Sequence, residues 1–236
     1  KAKGLKVMLK PHLWIGGNGW PGSLTFKKES AWQTWQETYS NYILRFARMA
    51  QQMDVKILTI GTECKQIVRD RPQFWHSLIK QVKKAYQGKL TYQANWDNFK
   101  HVSFWDQLDY ISVSGYFPLA EEKQPSEATI AKGWEPYLAS LKRMHLAYNK
   151  PVIFGEFGYC SKQGALAQPW EGGRQDPAAV NMQVQQKGYQ MLFQQVWQQS
   201  WFQGGFLWKW YADHSNAGGS DDNRYTPQNK PVEKLI

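Results

Sequence analysis

No stretch of the 236 residues approaches the roughly 18 consecutive apolar positions that a membrane span needs. A transmembrane helix is therefore not expected. Cysteine is scarce. Cys64 and Cys160 are the only two, and they lack the paired spacing of a metal site. A disulfide would need their Cα atoms about 4.4–6.8 Å apart, which sequence does not establish, so two free thiols are the default expectation. There is no internal repeat, no low-complexity tract, no phosphate-cradling glycine loop and no nucleophilic serine with a base beside it. Acidic residues are few: 19 Asp and Glu against 29 Lys and Arg, a formal net charge of +10. A nucleic-acid binder can carry such a balance. Here the basic residues are scattered (Lys27, Lys28, Lys83, Lys84, Lys142, Arg143) and read as a solvated surface, so no nucleic-acid partner is expected.

Aromatic residues are abundant, with 13 Trp, 12 Tyr and 11 Phe. Many must be core. Trp in loops also suits a sugar-binding cleft, because its flat apolar face stacks on the C–H face of a pyranose. Hydrophobic residues at 42% and charged residues at 20% are ordinary for a globular protein with a sizeable core.

The chain opens on KAKGLKV, with neither Met nor a signal-peptide pattern, on what reads as the tail of a helix. The natural protein is expected to extend further N-terminally. A strand signal at Leu5–Leu9 follows, then Pro11, His12 and a loop rich in Gly and Trp from Trp14 to Ser23. Ser30 and Gln33 have capping-box spacing, and Trp32, Trp35, Tyr39, Ile43, Phe46 and Ala50 mark one buried helical face. The run Val55–Ile60 has the continuous apolar character of a parallel strand covered on both faces. Phe74, Leu78, Val82 and Tyr86 predict a second helix, and Trp134, Tyr137, Leu141 and Met144 a third. Between and after them come strands at Leu90–Ala94, Tyr110–Val113 and Val152–Phe154. Asp176 and Pro177 read as N-cap and first-turn proline of another helix. A last strand is predicted at Gly205–Lys209, and Pro231–Ile236 reads as the start of a final helix. Strand–helix alternation predicts an α/β fold with a parallel sheet. Six strands are legible and a closed barrel needs eight. The expectation is a (β/α)8 TIM-type barrel lacking its first two strand–helix units, with an open six-stranded sheet as the alternative. One catalytic domain over residues 1–236 is expected.

Parallel α/β folds gather functional groups at the C-terminal ends of their strands. Those ends carry His12, Glu63, Asn95, Trp96, Tyr116, Glu156, Trp208 and Trp210. The set contains two carboxylates, several aromatics and polar groups suited to hydroxyls. It contains no His, Cys and Asp cluster, so neither metal nor cofactor is expected. Two carboxylates on one cleft are what glycosidic bond cleavage requires: one protonates the leaving oxygen while the other attacks the anomeric carbon or activates water. Asp97, Asp213 and Asp222 read as loop and turn residues.

The segments ILTIGTE and PVIFGEFGY resemble the fourth and seventh barrel strands of clan A glycoside hydrolases. The wider pattern KVMLKPHLW, GTE, YFP, GEFGY and FLWKWY is most similar to the family 113 glycoside hydrolases, which are β-1,4-mannanases. This resemblance runs over essentially the whole chain and implies that the first strand is barrel strand three. It implies Glu63 as acid/base and Glu156 as nucleophile, with Tyr116 hydrogen-bonding the nucleophile. Trp208 would be the floor under the sugar being cleaved. His12 and Trp96 would line glycan subsites, with Trp14 and Trp210 also assigned to substrate. Most clan A enzymes carry Asn directly before the acid/base; this chain has Thr62, whose hydroxyl would take over the contact. The implied function is endo-hydrolysis of β-1,4-mannan-type polysaccharide by double displacement, in a monomer that is secreted or periplasmic. The alternatives are another β-glycan as substrate and a carbohydrate-binding protein without turnover.

Overall fold

The computed structural model describes residues 4–17, 19–173 and 179–236. Asp176 and Pro177, read above as a helix opening, lie outside the described residues. Among the described residues there are six strands: β1 (Met8–Leu9), β2 (Ile57–Thr62), β3 (Lys89–Asn95), β4 (Ile111–Ser114), β5 (Val152–Phe157) and β6 (Phe202–Leu207). Hydrogen-bonded neighbours follow chain order. The pairs β1–β2, β2–β3 and β5–β6 run parallel. The helices are α1 (Glu29–Gln52), α2 (Lys65–Asp70), α3 (Pro72–Ala85), α4 (Glu127–Tyr148) and α5 (Met182–Gln195). The architecture is α/β with helical crossovers, as the alternation predicts.

The chain divides into two compact units, Lys1–Val113 with Tyr148–Pro151 and Ser114–Ala147 with Val152–Ile236. In the first, α1 buries Trp32, Tyr39, Ile43, Ala47 and Ala50. The stripe drifts onto Ala47 and leaves Phe46 half-buried, because 3.6 residues per turn do not keep a fixed column over 24 residues. Helix α3 buries two columns, Phe74, Leu78 and Val82 beside Trp75 and Ile79. Trp75 stacks on Phe104 at 5.6 Å and meets Tyr92 edge-on at 5.2 Å. Burial of rings this size contributes roughly 2–3 kcal/mol each. In the second unit Trp134 lies parallel to Phe154 at 6.4 Å, Phe154 meets Phe202 at 4.8 Å, and Tyr159 meets Tyr189 edge-on at 5.5 Å.

Several boundaries differ from the sequence reading. Ser30 lies inside α1 rather than at its cap; Lys28 holds that position without a side-chain bond. Helix α4 begins seven residues before Trp134 and passes through Pro136. Ser126 accepts the Thr129 N–H at 3.1 Å and so starts the helix earlier than the apolar stripe suggests. Asn181 caps α5 by accepting the Val184 N–H. β6 starts three residues before the predicted Gly205. The last segment is a 3-10 turn, Pro231–Leu235. β1 shrinks to two residues. Cys64 and Cys160 are free thiols, and both are buried.

Candidate active site

In the first unit, β2 delivers Glu63 through a local break in regular pairing. The register against β3 shifts between Thr59 and Thr62. Glu63 itself has φ of +54°, a left-handed conformation that non-glycine residues rarely adopt and that clusters at functional sites. Its N–H donates to the Gln93 carbonyl at 2.8 Å, and its own carbonyl accepts the Lys65 N–H at 2.8 Å. Two residues earlier only glycine fits, since a Cβ at Gly61 would lie 2.7 Å from the Trp75 ring. The Trp20 indole N–H donates to Glu63 Oε2 at 2.8 Å. Behind the turn Cys64 is buried, and burial pushes its thiol up to about 12. Thr62 is also buried, and its hydroxyl has no hydrogen-bond partner among the described residues.

Other residues predicted for the site also belong to this unit. His12 and Trp14 follow β1 with ring centroids 4.5 Å apart. Trp14 is 75% exposed, more than any other large hydrophobic residue in the described chain, as an aromatic platform requires. Trp96, half-buried, follows β3. Beside it Lys65 pairs with Asp97 at 2.5 Å, and Asn95 donates to Asp97 at 3.1 Å. Asp97 thus organises the strand ends.

In the second unit Glu156 lies within β5, whose register against β6 also shifts, between Val152 and Phe154 and again between Phe154 and Phe157. The Glu156 carbonyl accepts the Gly115 N–H at 2.7 Å. The Tyr116 hydroxyl donates to Glu156 Oε2 at 3.0 Å, so a phenol from the segment after β4 reaches the carboxylate on β5. The Tyr116 ring meets Tyr225 edge-on at 6.0 Å. Tyr225 donates to the Pro169 carbonyl at 2.6 Å. Burial raises the Tyr225 phenol, with nearby Cys160 and Glu156 adding to the effect, so it stays a neutral donor. Trp208 leaves β6 with its N–H on the Phe157 carbonyl at 2.7 Å, and the peptide bond between it and Lys209 is cis. The Lys209 ammonium lies 5.4 Å from the Trp208 ring centroid and 4.8 Å from that of Tyr211. Trp210 is 49% exposed.

Asp222, read from sequence as a turn residue, is the centre of a buried ionic cluster. Lys230 Nζ reaches Asp222 Oδ1 at 2.9 Å, the Ser161 hydroxyl at 2.8 Å and the Arg224 carbonyl at 2.9 Å. Arg224 pairs with the other Asp222 oxygen at 2.5 Å. Burial alone would raise the Asp222 carboxyl, but Lys230 and Arg224 outweigh it and the net shift is downward. The cluster ties the segment after β5 to the loop after β6. Trp20 and Tyr225 were missed by sequence reading, because both come from loops and neither ends a strand. Among the described residues no group of three or more His, Cys, Asp or Glu is placed to hold a metal ion.

Residues 1–230 match the model of Glycoside Hydrolase Family 113. The chain belongs to that family. It is a glycoside hydrolase, and its substrate is a carbohydrate. Among solved structures it is similar to the family 113 β-mannanase AaManA of Alicyclobacillus acidocaldarius in complex with ManMIm. The two are 30% identical with a TM-score of 0.86, over 99% of this chain and 72% of that one. A family 113 β-1,4-mannanase solved as a complex gives 30% identity and a TM-score of 0.84, over 99% of this chain and 73% of that one. The β-glucuronidase of Faecalibacterium prausnitzii shares the fold alone, at 14% identity and a TM-score of 0.61, over 85% of this chain and 34% of that one. No curated protein sequence gives a significant match. Among the described residues no helix is long and apolar enough to cross a membrane.

Proposed function

We propose that this family 113 hydrolase cleaves internal bonds of β-1,4-mannan-type polysaccharide with retention, Glu156 acting as nucleophile and Glu63 as acid/base. The observation that carries the assignment is the Tyr116 hydroxyl on Glu156 at 3.0 Å. A phenol donating to a carboxylate oxygen holds the group in place for attack on the anomeric carbon. Support for mannan comes from the β-1,4-mannanase neighbours at 30% identity.

In the first step a Glu156 oxygen attacks the anomeric carbon while Glu63 gives its proton to the departing glycosidic oxygen. In the second, Glu63 takes a proton from water as that water attacks the glycosyl–Glu156 ester, which frees the sugar and restores both groups. Trp208 supplies the floor beneath the sugar being cleaved. His12, Trp14, Trp96 and Trp210 bind flanking sugars through aromatic faces. The six strands correspond to strands three to eight of the eight-stranded barrel. A polysaccharide too large to import places the enzyme outside the cytoplasm, and it works as a monomer.

Release of reducing ends from soluble β-mannan, with β-glucan and xylan alongside, tests the substrate. Proton NMR of the first-formed anomer tests retention. Activity confined to β-glucan or xylan would overturn the mannan assignment, and an α-configured first product would overturn double displacement.

A further inference from the structure

The indole N–H of Trp20 donates to Glu63 Oε2 at 2.8 Å, and neither the resemblance nor the strand-end rule selects this tryptophan. Trp20 stands just before a 3-10 turn, Pro21–Ser23, in which Pro21 and Gly22 are buried. The turn is closed by Ser23, whose N–H and hydroxyl both donate to the Trp20 carbonyl, at 3.1 and 2.9 Å. It packs on α2, the helix that starts two residues after Glu63. The indole folds back across Gly22, where a Cβ would lie 2.3 Å from its six-membered ring. Glycine at that position is therefore what lets the ring reach the carboxylate. Trp20 remains 38% exposed, so its outer edge stays in contact with solvent.

We infer that Trp20 is a positioning residue for the acid/base: its N–H fixes the Glu63 carboxyl and biases it towards the ionised form needed in the second step. The inference rests on the assignment of Glu63 as acid/base. A glutamate in that role must be protonated to release the leaving group and ionised to activate water. An indole N–H has no acceptor lone pair and does not titrate in the working range. It donates to the carbonyl oxygen of the acid and to the carboxylate alike, more strongly to the second. Near Glu63 lie Cys64, which burial keeps protonated, and Tyr92 from β3, raised well above the usual phenol range by burial. Trp20 carries no charge, so Trp20→Phe removes the indole hydrogen bond without adding or removing a charge.

The test uses the whole chain with Trp20→Phe and, as a second variant, Gly22→Ala, which displaces the indole without removing it. The alkaline limb of kcat/KM on a mannan oligosaccharide reports the acid. It is expected to move upward by about 0.5 to 1 pH unit in both variants. On the same oligosaccharide kcat/KM should fall by about tenfold. On a dinitrophenyl mannooligoside, whose leaving group needs no proton, kcat/KM should stay within about twofold of the parent. An unmoved limb, or an equal fall on both substrates, overturns the inference. Glu63→Ala separates this from its premise. Rescue of that variant by azide, with formation of a β-glycosyl azide, supports Glu63 as acid/base. Absence of rescue overturns that assignment and the role of Trp20 with it. Rescue combined with an unmoved limb in Trp20→Phe overturns the role of Trp20 alone.

Discussion

The two units hold their glutamates in different ways. In the first, Glu63 sits just past β2 with φ of +54°, and its carboxyl is held by an indole from a partly exposed turn. In the second, Glu156 lies within β5, and its carboxyl is held by Tyr116, a largely buried phenol backed by Tyr225 and a clamped loop. The contrast follows the chemistry proposed for each. An acid/base changes protonation twice per turnover and is served by a short side-on support. A nucleophile has to be held in one place, and a strand backbone with a neighbouring donor does that. The second unit accordingly spends more buried polar structure on its loops, with Lys230, Asp222, Ser161 and Arg224 in one network.

The largest effect should come from Glu156→Gln. Reducing-end release is expected to fall by about 10⁴-fold or more, since no ester can form. Residual activity near the parental level would move the nucleophile elsewhere and dissolve the contrast. Next is Asp222→Asn, which leaves the Lys230 ammonium buried without its counter-charge. Loss of a partner in a buried pair costs about 3–5 kcal/mol, measurable as a lower denaturant midpoint. The pH dependence has a definite sign. The Asp222 carboxyl is held below the usual carboxylate value in the folded chain, so its contribution is present above the unfolded value. It is lost as pH falls through the depressed folded one. The parent should therefore lose stability over that acid range more steeply than Asp222→Asn.

Tyr116→Phe should lower kcat/KM by about 10- to 100-fold, the worth of one hydrogen bond to a charged group, with little change in the unfolding midpoint. An effect mainly on stability would make Tyr116 a packing residue instead. The smallest effect is expected at the thiols. Cys64 and Cys160 are buried and pushed up to about 12 and about 11. Native protein at pH 8 should resist iodoacetamide for hours, whereas unfolded protein should take up two labels, one per cysteine. Rapid labelling of Cys64 alone would show that the turn carrying Glu63 opens far more readily than the segment carrying Glu156.

The parallel α/β character was readable in the sequence because apolar runs such as Val55–Ile60 and stripes such as Phe74, Leu78 and Val82 depend on local periodicity. That Glu63, Tyr116, Glu156 and Trp208 stand at or near the C-terminal ends of strands was readable because position along the chain is enough to place them there. Helix starts were less legible. The start of α4 is set by Ser126 and continues through Pro136, which local rules treat as a break. Trp20, Tyr225 and the Asp222–Lys230 pair were not legible at all. Trp20 is 43 residues from Glu63 and Tyr225 is 56 from Pro169; Asp222 and Lys230 are only 8 apart, but their burial depends on Ser161, 69 residues from Lys230, and no local spacing encodes those meetings. The sequence by itself determined which carboxylates stand at strand ends, because strand period and turn chemistry are local. Only the tertiary structure decided what holds each of them, because hydrogen bonds from loops are fixed by packing rather than by pattern.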